Sequence, residues 1–140
     1  MLDSLQLSLC DTQGQLFELS GKYGYASEPF VRGFMESDVS KDMDKAFHHT
    51  QWAGKEYILS RMKDEDVGDF TKGEIFDSEA LFWMGYLYRF WHFYTGESSR
   101  EIYRQAPARA MNVAFLPYHS LSPEMAVDRL KSTYQAKHGG

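Results

Sequence analysis

The sequence predicts an all-α fold, a single-domain irregular bundle of about seven helices around one central apolar helix. Three observations predict it. Apolar residues recur at helical spacings along most of the chain, and no stretch shows the alternation of a half-buried strand. Capping residues and glycine stops punctuate those stretches. One segment, 80–94, is apolar nearly all the way round, as a helix covered on several sides must be.

The elements follow in order. Leu2, Leu5, Leu9, Thr12, Leu16, Leu19 and Tyr23 place an apolar stripe on the first helix, with Gly21 and Gly24 as its stop. That helix is either continuous from Leu2, with Gly14 inside it, or starts at the capping box Thr12-x-x-Gln15. Ser27 is expected to cap the second helix, with Pro29 in its first turn and Phe30, Val31 and Phe34 facing inward. Ser37 or Asp38 caps a third, through Val39, Met43, Ala46 and Phe47, and a fourth follows Gly54 with Tyr57, Ile58 and Met62. Residues 63–76 are polar and glycine-punctuated, a surface loop with room for a short hairpin. Asp77 or Ser78 opens the central helix, which Gly96 stops. Gly85 allows another helix to approach closely. Ser98-x-x-Glu101 is a capping box. Pro107 begins or kinks the next segment, which holds Met111, Val113 and Phe115 and ends at Pro117. Ser122 and Pro123 open the last helix, and the tail 136–140 is expected to fray.

Composition sets bounds on what such a bundle does. The chain has 140 residues, 43% apolar and 25% charged, well inside the globular range, so one domain spanning 1–140 is expected. Ten Phe, nine Tyr and three Trp predict an aromatic core. The lone Cys10 excludes an internal disulfide and any zinc site built on several thiolates. The start, Met1-Leu2-Asp3-Ser4, has no basic head or apolar run, and 80–94 is interrupted by Arg89 and His92, too short and polar to span a bilayer. A cytoplasmic protein without membrane contact is expected. The net charge of -5 divides unevenly. Residues 1–99 carry 9 Lys/Arg against 17 Asp/Glu, and residues 100–140 carry 6 against 3. The acidic part argues against nucleic-acid binding, in which phosphate attraction dominates.

The residues that carry potential chemistry cluster on the central helix. Arg89 and His92 are three apart and share a face inside apolar surroundings. A buried guanidinium demands a partner. Either it holds an anionic ligand while His92 moves a proton, or it pairs with a carboxylate of the first half while His92 satisfies a backbone carbonyl. With Tyr103, Arg104 and His119, and with Tyr86, Tyr88, Tyr94 and Arg109 nearby in sequence, these two form a candidate anion or nucleotide site. Trp52 and Tyr57 are candidate partner contacts. His48-His49 are adjacent and point apart, and no His-x-x-x-His occurs, so no metal ligands are assigned. No phosphate loop or nucleophile elbow is present, and no catalytic residue or cofactor is assigned. Arg89 and His92 also stand closer than the Arg and His of small helical ribonucleases of the HEPN type.

The stretch from Trp83 to Ser99, with Tyr88-Arg89-Phe90-Trp91-His92-Phe93-Tyr94-Thr95-Gly96 at its core, resembles a small uncharacterised family of proteins from Gram-positive, Firmicutes-type gut bacteria. Ile102-Tyr103-Arg104-Gln105-Ala106, Met111-Asn112, Tyr118-His119-Ser120-Leu121 and Ala126 to Lys131 fit it, as do Ser27 to Phe34 and Thr50-Gln51-Trp52. The resemblance covers about residues 16–134. It implies genes clustered with toxin–antitoxin-like genes, some resembling ADP-ribosyltransferase toxins. An antitoxin-like or accessory partner of a toxin-like enzyme, working through protein contact or self-association, follows from it. It carries over no catalytic residues.

Overall fold

The computed structural model describes residues 2–45, 48, 51 and 53–139, and all structural statements below concern these. Eight helices occur in the order α1 (Ser4–Lys22), α2 (Ser27–Met35), α3 (Asp38–Asp44), α4 (Lys55–Asp64), α5 (Ser78–Thr95), α6 (Ser99–Gln105), α7 (Ala108–Tyr118) and α8 (Pro123–His138). No strand is present among the described residues, and one isolated antiparallel bridge joins Tyr25 to Lys72. The all-α fold is therefore as the periodicity predicts. The count rises from about seven to eight because Pro107 starts a new helix, as the N-cap of α7, and does not kink a longer one.

The first helix is one piece. Asp3 caps it in a reciprocal box with Gln6: Gln6 N donates to Asp3 Oδ1 at 2.8 Å and Asp3 N to Gln6 Oε1 at 3.0 Å. Thr12 and Gln15 therefore stand inside a helix, and their box pattern is not used as a start. Gly14 is tolerated there because of α5. A Cβ on Gly14 would stand 2.9 Å from the Phe82 carbonyl oxygen, and one on Gly85 would overlap the Gln13 carbonyl. The two glycines let the backbones of α1 and α5 touch, and α1 is the main neighbour of α5, with α6, α7 and α8 around it.

Several boundaries differ from expectation. Ser27 does not cap α2; Ala26 holds the cap position without a side-chain bond. The orphan amides find other acceptors: Ala26 N donates to Thr71 O at 2.7 Å and Ser27 N to Glu74 O at 2.9 Å. Ser27 Oγ in turn accepts from Phe76 N at 2.9 Å. The loop after α4, which starts at 65 and not at 63, is thus part of the structure of α2. Phe76 is buried in the core and Phe70 is half-buried against it. The expected hairpin is absent and the single Tyr25–Lys72 bridge takes its place. Ser37 caps α3, which ends at Asp44. Ala46 and Phe47, expected to extend it, lie outside the described residues.

Pro117 lies inside α7, which runs one residue further. The last helix continues to His138, beyond the expected fraying point. His138 stacks on Tyr134 at 4.4 Å and its Nδ1–H donates to Tyr134 O at 3.1 Å, which closes the final turn. Asp77 caps α5, and Gly96, in the left-handed region at φ 80°, stops it. One hydrophobic cluster draws residues from all eight helices, with Phe17, Phe30, Phe34, Tyr88 and Trp91 among its buried rings. No helix among the described residues is long and apolar enough to cross a membrane.

Candidate functional site

Arg89 is wholly buried, and all three of its guanidinium nitrogens donate. Nε reaches Gln13 Oε1 at 2.8 Å, Nη1 reaches Asp44 Oδ1 at 2.5 Å, and Nη2 reaches Ser99 Oγ at 3.2 Å. Asp44 also accepts from Ser99 N at 2.9 Å and Ser99 Oγ at 2.7 Å, so the carboxylate holds the first amide of α6. Gln13 completes the set by donating to Gly85 O at 3.0 Å. This network ties α1, α3, α5 and α6 together. His92 donates from Nδ1 to Glu97 O at 2.7 Å, with Asp44 Oδ1 at 3.7 Å. No buried side-chain nitrogen or oxygen among the described residues lacks a partner. A guanidinium held on three sides by its own protein is a structural knot, because its charge is met where it is buried.

The remaining candidates go elsewhere. Tyr103 and Arg104 line a groove between α2 and α6 with Arg32, Glu36, Arg100 and Pro107. His119 sits at the end of α7, on a different groove. The five residues thus occupy three places and do not converge. Tyr57 is 46% exposed on α4, in a polar hollow with Asp42, His48, Ser60, Arg61, Asp64 and Glu65. There the Asp42 carboxyl is lowered: burial would raise it, but Lys45 and Arg61 outweigh that. Trp52 lies outside the described residues. Among the described residues no three His, Cys, Asp or Glu side chains group as a metal site needs. Cys10 is buried in α1, and burial pushes its thiol up to about 12.

The groove holding His119 is mainly apolar. It has a volume of about 320 Å³ and is lined by Phe82, Trp83, Tyr86, Leu87, His119, Leu121 and Pro123. Its walls are pre-arranged. Phe82 stacks on Tyr86 at 6.3 Å, Trp83 meets Phe115 edge-on at 5.8 Å, and Phe115 stacks on His119 at 4.5 Å. His119 Nδ1–H donates to Phe115 O at 2.7 Å, which fixes the ring. One and two turns back on the same side of α7 stand Leu116 and Val113, 76% and 77% exposed. Leu116 O lies 3.1 Å from His119 Nδ1, so the stripe begins where the groove ends. Carboxylates stand near the groove: burial raises the Tyr86 phenol, and the charges of Asp11 and Glu124 raise it further. Tyr94, exposed eight residues further along α5, donates to Asp128 Oδ1 at 3.1 Å.

In sequence, the helix carrying Phe82, Trp83 and Tyr86 reads as covered on several sides, and Val113 is assigned no face. A signal for the surface was present in α7. Ala110, Val113 and Leu116 form a second apolar stripe beside the buried Ala108, Met111 and Ala114, more than one small helix can bury. No protein-family model matches the chain, and no match is found among curated proteins or solved structures.

Proposed function

We propose that this chain is a non-enzymatic interaction protein whose working surface is the aromatic groove of α5, α7 and α8 with the outer stripe of α7. Its occupant is a protein segment with apolar side chains flanked by Lys or Arg. The observation that carries the reading is the pair Val113 and Leu116, two bulky aliphatic residues left more than three-quarters in water beside an aromatic groove. Rigid aromatic walls suit anchor residues of a partner. The acidic groups at Tyr86 and Tyr94 favour a basic flank and exclude an acidic one. A toxin-like enzyme is the partner class that the sequence resemblance implies, and an antitoxin-like or accessory role in the cytoplasm is the corresponding biology. The buried Arg89 network ties α1, α3, α5 and α6 together and takes no part in contact.

Affinity capture from a lysate of the native host tests the reading. The tagged wild type is expected to retain one stoichiometric partner, released as salt screens the nearby carboxylates. The double variant Val113→Asp with Leu116→Asp is expected to retain none while melting at the wild-type temperature, since both side chains stand in water. A chain that returns alone, or a double variant that holds its partner as firmly as wild type, contradicts the proposal.

A further inference from the structure

We infer that the groove between α2 and α6 binds the phosphate group of a small phosphorylated molecule, a site separate from the apolar docking surface. Arg32 from α2 and Arg100 and Arg104 from α6 converge on a groove of about 540 Å³, with Glu36 as its lining carboxylate. Arg100 and Arg104 are four apart and so share a face of α6. Apart from Arg129 on α8, the arginines outside the groove are neutralised: Arg61 pairs with Asp42 and Glu65, Arg89 with Asp44, and Arg109 with Glu28 and Glu74. The groove arginines are not. Arg100 spends one bond on the backbone carbonyl of Glu36, and neither Arg32 nor Arg104 forms an ion pair or hydrogen bond with a described residue. Three guanidinium groups are thus gathered without ion-pair partners on a chain whose net charge is -5.

Tyr103 supplies the second observation. Its ring is packed inside, 6% exposed and 6.2 Å from Tyr88, yet its hydroxyl makes no hydrogen bond to the protein. No buried side-chain oxygen among the described residues is without a partner, so this hydroxyl opens into the groove it lines. A rigidly held phenol donor between arginines is the donor set of a phosphate oxygen cluster. Guanidinium forks match phosphate geometry, and a phenol adds a bond without adding charge. The groove is open to solvent and lies on a chain of net negative charge, which suits a compact dianion and opposes a long polyanion such as a nucleic acid.

Titration calorimetry of the whole chain with inorganic phosphate, pyrophosphate and ADP tests the site. Saturable one-to-one binding is expected, tighter for pyrophosphate and ADP than for phosphate. Arg32→Ala and Arg104→Ala, both at exposed positions, are each expected to weaken it roughly tenfold or more. Tyr103→Phe is expected to weaken it less and to leave the melting temperature unchanged. Val113→Asp with Leu116→Asp is expected to bind as wild type does, which separates this site from the docking surface. No uptake of any of the three at millimolar concentration overturns the inference. So does binding of an oligoglutamate peptide in their place, or phosphate binding that survives loss of both Arg32 and Arg104.

Discussion

Gly85 sets how closely α1 can lie on α5, because any side chain there meets the Gln13 carbonyl. Replacing a mid-helix glycine by alanine ordinarily stabilises a helix by about 1 kcal/mol. Here the sign reverses, and Gly85→Ala is expected to cost roughly 1–3 kcal/mol in urea unfolding through overpacking. Arg89 sits against the same crossing. Arg89→Met leaves Asp44 without its cation and the side chain of Gln13 without its donor, and should destabilise by about 3–5 kcal/mol. A variant that still folds at low temperature should bind phosphate and capture partner normally, because the knot touches neither surface. That Arg89 needed an anionic partner was legible from its apolar neighbours, with a ligand and a carboxylate of the first half both open. The hydrogen bond to Asp44 decides for the carboxylate. Which carboxylate was not legible, since Asp44 lies 45 residues away in sequence.

At the scale of elements, Glu97 joins the end of α5 to α6 and α8. It accepts from Trp91 Nε1 at 2.9 Å, Lys131 Nζ at 2.8 Å and Gln105 Nε2 at 2.6 Å. Burial would raise its carboxyl, but these bonds and Thr95 hold it down at about 2, against 4.5 for a free glutamate. A depressed carboxyl stabilises the fold above its unfolded value, and that contribution is lost as pH falls from about 4.5 towards 2. Its upper bound is roughly 3 kcal/mol. The stability gap between wild type and Glu97→Gln, followed by denaturant unfolding, is therefore expected to narrow across that window; a gap that stays constant contradicts it. Helix positions were readable from sequence at Asp77, Ser98 and Ser122, whose caps are local, although the equally local Asp3–Gln6 box went unread. They were misread where the cap was distant. The start of α2 is satisfied by carbonyls of the 65–77 loop, some 45 residues on, and no short-range pattern at Ser27 encodes that.

Across the whole molecule, the chain divides its surface by chemistry. The α2–α6 groove collects unpaired arginines, and the α5–α7–α8 face collects aromatic and aliphatic side chains with carboxylates nearby. The all-round apolar character of α5 foretold a central helix, and it has two causes. Leu81, Met84, Leu87 and Trp91 pack the core, while Phe82, Trp83 and Tyr86 face the groove. Apolar character alone cannot separate the two, because burial by the protein itself and burial by a partner select the same side chains. The candidate anion site was legible in part for a similar reason. Tyr103 and Arg104 were visible as chemistry-bearing neighbours, but Arg32 joins them only through the packing of α2 on α6.

On the proposed function, the partner sits on the α7 stripe. A photo-crosslinking amino acid placed at position 116, and in a parallel chain at position 57, tests it most directly in living host cells. The account predicts one dominant crosslinked product from position 116, lost when Val113 is changed to Asp, and none from position 57. A product formed only from position 57, or equally from both, would contradict it.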